Sequence, residues 1–196
     1  DEVLKWAEHE AARQQEKFEM LSRKKSGITA LPNFAKSEGD AVQSIEARAT
    51  HLKQLETEVR DWEKHQAKAA EAELRNQAAT IANELAASHS KASSCITEVP
   101  DADGALLQAI ADVLKSRIRV PILLAGTSNG RVDLVAVVPK ALTNTIRANE
   151  IIQQIAPIVG GKGGGRPESA RGAGNDPSRI REALAHVRAM VGALES

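Results

Sequence analysis

From Asp40 to Ser90 the chain runs without a single glycine or proline. Those two residues interrupt helices most strongly, one by entropy and the other by its missing N–H and fixed φ. Within this stretch Ile45, Leu52, Leu55, Val59 and Trp62 fall 7, 3, 4 and 3 residues apart, the spacing of a heptad seam. The seam weakens at Gln66 and resumes out of phase at Leu74, Ala78, Ile81 and Leu85. Roughly fifty helical residues at 1.5 Å each make an arm of about 75 Å. An arm of that length cannot bury its apolar stripe against itself. It needs another helix of the chain, a second copy, or other parts of a longer protein.

A first helix precedes it. Leu4, Ala7, Ala11, Phe18 and Leu21 share one face, and Arg23-Lys24-Lys25 suits a helix C-terminus. Gly27 and Pro32 then break the pattern. Residues 1–92 are therefore expected to be a helical arm of two helices broken near 26–39, with Trp6 and Trp62 as packing anchors. Small polar residues and turn formers around Ala86–Ser94 mark a boundary, and 93–196 is expected to form a globular domain. In it, Ile96–Val99 reads as a short strand, and Leu106, Leu107, Ile110, Val113 and Leu114 as a helix face ending near Arg117. Val120–Ala125 and Val132–Val138 read as strands joined through Asn129-Gly130, a strong hairpin signal. A helix from about Asn149 to Val159 follows. Asn175-Asp176-Pro177 supplies a cap and a first-turn proline before a last helix carried by Ile180, Leu184, Val187 and Val191. The fold class is α+β: a long, coiled-coil-like helical arm, then a small domain with a few-stranded sheet and a Gly-rich loop.

That loop, residues 160–174, holds seven of the thirteen glycines. Such a run is either a flexible linker or an ordered loop that something must approach closely. Core-forming segments on both sides favour the ordered loop. Lys162, Arg166 and Arg171 lie inside it, and bare amides beside fixed cations suit phosphate. Lys plus Arg and Asp plus Glu balance at 26 each overall, yet residues 115–188 carry 12 basic groups and five acidic ones. The local excess favours a polyanionic partner.

Catalytic signatures are not found. His9, His51, His65, His89 and His186 are scattered without metal-ligand spacing. The one cysteine, Cys95, excludes an internal disulfide, reads as a small buried residue, and suits a reducing compartment. Ser169 lacks a nucleophile-elbow frame, and Lys162 precedes rather than follows the glycines of a P-loop. A dinucleotide fingerprint would need a strand before the glycines, where a helix is expected. No apolar run approaches membrane-spanning length. A first residue other than Met is expected for a piece of a longer protein.

The segment Ile151 to Val191 resembles the carboxy-terminal end of alanyl-tRNA synthetases. It carries the Gly-Gly-Lys-Gly-Gly-Gly-Arg-Pro loop, the Ala-Arg-Gly-Ala-Gly continuation and a final helix. Ile122-Leu-Leu-Ala-Gly, Val132-Asp-Leu-Val-Ala-Val-Val and Lys140-Ala-Leu-Thr are similar to the same module, the C-Ala type domain that also accompanies DHH phosphoesterases. The resemblance spans essentially the whole chain; it is specific over 120–191 and weak over 1–90. It implies a non-catalytic appendage that grips the outer corner of tRNA(Ala), where the D and T loops meet. It also implies dimerisation through the helical arm, a cytoplasmic setting, and upstream synthetase domains that hold the parent's ATP, Mg and Zn, with no cofactor in this segment. Nucleic-acid contact is carried onto Gly161, Lys162, Gly163, Gly164, Gly165, Arg166 and Arg171. Lys162 stands where many relatives have another glycine, and Arg171 where an uncharged residue is common. The alternatives are the tail of a free-standing alanyl-tRNA editing protein or DHH-type hydrolase, or a purely structural oligomerisation module.

Overall fold

The computed structural model describes residues 2–37 and 39–193. Helix α1 is Glu2–Lys24 and α2 is Ala41–Ser88. Strand β1 (Cys95–Val99) leads to α3 (Gly104–Arg117), β2 (Ile122–Ser128) and β3 (Arg131–Val137). Helix α4 (Ala148–Ile155), β4 (Lys162–Gly165), β5 (Ser169–Gly174) and α5 (Ile180–Ala193) complete the order. By contacts the chain forms two compact units, Asp1–Glu71 and Ala72–Ser196, so that the division falls within α2.

In the first unit the shielded positions of α1 are Leu4, Ala7, Ala11, Gln14, Phe18 and Leu21, and those of α2 are Ala41, Ile45, Arg48, Leu52, Leu55 and Val59. Both sets recur at alternating three- and four-residue steps. The cross-links fix the direction. Gln14 Nε2 donates to Ile45 O at 3.1 Å. Lys17 pairs with Glu56 at 2.6 Å, Lys24 with Glu63 at 3.1 Å, and Lys25 with Glu58. Position rises on both helices together, so they run parallel. An extended return joins them: Thr29 O lies 3.2 Å from His51 Nε2, Arg48 Nη1 donates to Pro32 O at 2.6 Å, and Ala35 N donates to Ser44 Oγ at 3.3 Å. Trp6 is 52% exposed and Trp62 36%. They are thus not anchors within this chain, a correction to the sequence expectation, because Trp6 lies off the shared seam and Trp62 stands on it only where α1 ends, beside the Lys24–Glu63 pair.

The second unit is built on one sheet of order β1-β2-β3-β5-β4, parallel between β1 and β2 and antiparallel elsewhere. The antiparallel β2–β3 pair turns at Asn129 (φ 51°) and Gly130 (φ 75°), the left-handed geometry that Asn-Gly favours. α3 is capped by Asp103, whose carboxylate accepts from Leu106 N at 2.9 Å. Asp176 likewise accepts from Ser178 N at 3.1 Å, opening a short 3-10 turn that runs into α5. On one face of the sheet, Leu123, Leu134 and Ala136 pack with Ile151, Ile152 and Ile155 of α4 and with Leu184 and Val187 of α5. On the other, Cys95, Leu124 and Val135 pack with Leu107, Ile110 and Leu114 of α3 and with Ala78 and Ala82 of α2. The interior strand β2 is buried on both faces along Ile122–Gly126, which explains its continuous apolar run rather than an alternating one.

Candidate nucleic-acid interface

The glycine-rich segment is not a loop. Residues 162–165 and 169–174 are two strands of the sheet, with β4 at its edge. Ile158, Val159 and the turn at Gly160 (φ 70°) lead into it, and Gly161 N donates to Ala156 O at 2.9 Å. Arg166 N donates to Ser169 O at 2.8 Å and Ser169 N to Arg166 O at 3.2 Å, closing the β4–β5 hairpin around Pro167-Glu168. The two turn carbonyls are taken up as well: Glu168 O accepts from Val138 N at 2.9 Å, and Pro167 O from Ala148 N at 2.8 Å. The hairpin is therefore tied down at its tip by β3 and α4.

Its glycines divide into two kinds. A Cβ on Gly161 would lie 1.7 Å from Ala173 O, and one on Gly165 2.5 Å from Ala170 Cα. On Gly163 it would meet Ile152 Cγ2 at 2.4 Å and Arg171 O at 2.5 Å. Those bare positions let β4 lie against β5 and α4. Gly164 is different, because a Cβ there would have nothing within 4 Å. Packing does not require that glycine.

Register sorts the side chains. Gly164 pairs with Arg171, which pairs with Val135, and Lys162 pairs with Ala173, which pairs with Asp133. Directly paired residues project to one side, and Val135 belongs to the core beneath α3. Lys162, Gly164 and Arg171 therefore share the α3 side of the sheet. α3 covers β2 and β3 there, so the β5–β4 edge stays open. Arg171 Nε donates to Gln108 Oε1 of α3 at 2.8 Å, which holds the guanidinium over the groove beside the helix. A cavity of about 360 Å³ is lined there by Gly104, Arg131, Asp133, Lys162, Arg171 and Ala173. Arg131 Nε approaches Asp133 Oδ1 at 3.4 Å. Lys162, Gly163, Gly165 and Arg166 are exposed, and Gly161 and Gly164 half-buried. Among the described residues neither Lys162 nor Arg166 has an ion-pair partner.

The seven residues named from the sequence thus lie on one hairpin, though with unequal aspects. Gly161, Gly163 and Gly165 serve the contact with β5 and α4, and Arg166 stands at the tip. Gln108, Arg131 and Asp133 were not anticipated. Arg131 and Asp133 are two apart on a strand, so period-two alternation could have placed them on one side; Gln108 meets Arg171 only through the tertiary fold. Among the described residues no three His, Cys, Asp or Glu side chains come together, and no helix is long and apolar enough to cross a membrane. Burial holds the Cys95 thiol at about 11, well above its ordinary value. What the β4 edge offers is the outward amides of Gly163 and Gly165 beside the charges of Lys162 and Arg166, an arrangement suited to binding phosphate.

A sheet bearing such a hairpin defines a class. Residues 91–193 match the DHHA1 domain family, and the chain belongs to it. The chain is also 42% identical over 94 residues to the alanine–tRNA ligases of Staphylococcus aureus strains JH9 and Newman, a match covering 47% of this chain and 11% of each ligase. It thus spans about a tenth of the length of those relatives. Among solved structures, RecJ in complex with Mn2+ from Thermus thermophilus shares the fold at TM-score 0.51 and 17% identity, over 79% of this chain and 22% of that one. The C-Ala domain of Aquifex aeolicus alanyl-tRNA synthetase aligns at TM-score 0.46 and 24% identity, over 48% of this chain and 86% of that domain.

Proposed function

We propose that this chain is a tRNA-binding, non-catalytic appendage of an alanine–tRNA ligase, and that it contacts the outer corner of tRNA(Ala) through the β4–β5 hairpin. Gly164 carries the reading. It is a glycine that packing does not demand, on an exposed edge, paired directly with Arg171 and flanked by Lys162 and Arg166. A folded RNA corner is recognised chiefly by shape and by phosphate and 2′-hydroxyl contacts. The bare Gly164 lets such a surface come against the strand beside Arg171, the edge amides of Gly163 and Gly165 that β5 leaves open can donate to phosphate, and an arginine fork meets phosphate in two bonds. Aromatic residues are 2% of the chain and tyrosine is absent, so base stacking on rings cannot supply the affinity. Similarity to the ligases and membership of the DHHA1 family support the assignment of the partner. In this role the appendage holds tRNA for aminoacylation and editing by upstream domains in the cytoplasm, where the parent's ATP, Mg and Zn are bound.

The test is a tRNA titration at several salt concentrations. Lys162→Ala/Arg166→Ala should weaken binding and lower the log–log salt slope by roughly 0.7–0.9 per lost phosphate contact. Unchanged affinity and slope would remove the hairpin from the interface.

A second reading concerns the helical unit. Val3, Trp6 and Met20 are each at least half exposed on α1, away from the seam shared with α2. We propose that this face pairs with a second copy of the chain. Trp6→Lys should convert a dimer to a monomer in light scattering; a wild-type monomer at high concentration would refute the pairing.

A further inference from the structure

A second cavity, of about 390 Å³, lies on the same side of the sheet as the Lys162 groove. Its floor and walls are aliphatic: Ile118 and Val120 from the segment after α3, and Pro139 after β3. Arg119 and Lys140 stand at its rim, both exposed, and Ser169 opens β5 at its edge. Two carboxylates also line it: that of Asp112 is taken by Lys115 at 2.5 Å, and that of Glu168, exposed and without an ion pair among the described residues, leaves the lining net positive with Lys115, Arg119 and Lys140. Among the described residues Arg119 and Lys140 have no carboxylate partner. Gln108 joins the two cavities, since it lines this one and holds Arg171 over the other.

From this we infer that the cavity receives a single unstacked nucleobase of the RNA whose backbone lies on the β4–β5 hairpin. Size, chemistry and position each support that occupant. The volume falls at the lower end of the range for small-molecule sites and exceeds what one purine ring needs. An apolar slot accepts the faces of a heterocycle, and a guanidinium plane such as that of Arg119 stacks on a base where aromatic side chains are lacking. The charge requirement is met at the rim, where Lys140 and Arg119 can neutralise the phosphates flanking an extruded nucleotide. Continuity through Gln108 and Ser169 places the slot beside the same strand. The inference rests on the reading of the hairpin as an RNA-binding edge, and adds to it a preference for unpaired nucleotides.

The experiment uses the whole chain and two probes with equal numbers of phosphates: an RNA hairpin with an unpaired loop and a blunt RNA duplex. Wild-type protein should bind the looped RNA roughly twofold to fivefold tighter than the duplex, the worth of one exposed guanidinium stacked on a base. Val120→Trp, which fills the slot, and Arg119→Ala/Lys140→Ala, which strips the exposed rim and leaves the core intact, should each bring looped RNA down to the duplex level. Lys162→Ala/Arg166→Ala should weaken both probes and keep their ratio. With 4-thiouridine in the loop, irradiation should crosslink within residues 118–122 or 137–140. Equal wild-type affinity for the two RNAs would overturn the slot and leave the hairpin reading standing. A ratio that survives Val120→Trp in a protein with unchanged circular dichroism would do the same. Binding to neither probe would instead defeat the hairpin reading, and the slot with it.

Discussion

Arg48 donates through Nε to Gln14 Oε1 at 3.0 Å, so that the one buried charge among the described residues of the helical unit meets the one buried amide of α1. The rest of the guanidinium is satisfied by main chain, with Nη1 on Pro32 O at 2.6 Å and Nη2 on Ala11 O at 3.3 Å. Three segments, α1, the extended return and α2, converge on one side chain. Its acceptors are all neutral, and burial pulls its pKa below the usual guanidinium value. A polar layer inside an otherwise apolar helix pair costs stability and fixes register.

Replacing Arg48 by Met should therefore separate those two effects. The thioether fills part of the space but leaves Gln14 Oε1 and Pro32 O without their side-chain donor, Ala11 O keeping its bond within α1, at a cost of about 2–4 kcal/mol. Arg48→Met/Gln14→Leu removes the amide as well and should recover a good part of that loss. Chemical denaturation followed by helical circular dichroism reads the effect. A double variant less stable than the single one would mean that the polar layer is not the source of the cost.

The two kinds of glycine in β4 make opposite expectations. Gly163→Ala places a methyl against Ile152 and the Arg171 carbonyl, and should lower stability by about 2 kcal/mol or more. Gly164→Ala should stay within about 0.5 kcal/mol of wild type yet weaken tRNA binding by roughly fivefold to tenfold, because a methyl there holds the RNA backbone off the strand and lengthens its charge-assisted contact with Arg171. Thermal melts and a binding titration on the same samples check both. Full affinity in Gly164→Ala would deny that the backbone is approached there.

Gln108 is a positioning residue for Arg171, since its side chain meets the guanidinium and not the open groove directly. Gln108→Ala should reduce RNA affinity by about threefold through the freed side-chain entropy of Arg171, and Gln108→Glu, whose carboxylate offsets the Arg171 charge and repels phosphate, should reduce it further. Full affinity in Gln108→Ala would mean that the contact does not orient Arg171 for binding.

Cys95 supplies a pH test of the core. Its thiol moves from an ordinary 9.0 to about 11 on folding, so the folded state holds its proton where the unfolded chain has lost it. The associated stability is complete below pH 9 and drains away as pH rises through 9 to 11, by about 3 kcal/mol in all. Cys95→Ala should flatten that part of the stability curve relative to wild type, because lysine titration is common to the two proteins. Parallel curves across pH 8 to 11 would show that the thiol is not the titrating group.

The helices and the central strands were legible because their side chains carry a period. Ile45 to Val59 spells three-and-four spacing, and Asn129-Gly130 marks a turn between two apolar runs. β4 was hidden, because a strand of Lys and three glycines has no alternation to read and a poor strand propensity. Its pairing is dictated from outside, by Ile152 and the β5 backbone. The parallel course of α1 and α2 was equally invisible, since a seam spaced in threes and fours reads the same in either direction. Gln14 and Arg48 sit on that seam as polar residues and so drop out of any hydrophobic count. At the candidate interface the glycines and cations announced themselves by composition, whereas Arg131, Asp133 and Gln108 join them only through strand register and helix docking.

The extended segment between α1 and α2 has one more consequence, for how such a chain can change length over evolution. Because both helices point the same way, the connector must travel back the full distance that α1 advances. Adding a heptad to each helix lengthens them by about 10 Å, and the connector must then gain about three residues to keep its ends attached. Insertions in this region are thus tolerated as matched sets, seven residues in each rod and three in the strap, and a lone indel between Gln14 and Arg48 would throw Arg48 out of step with Pro32 and Gln14.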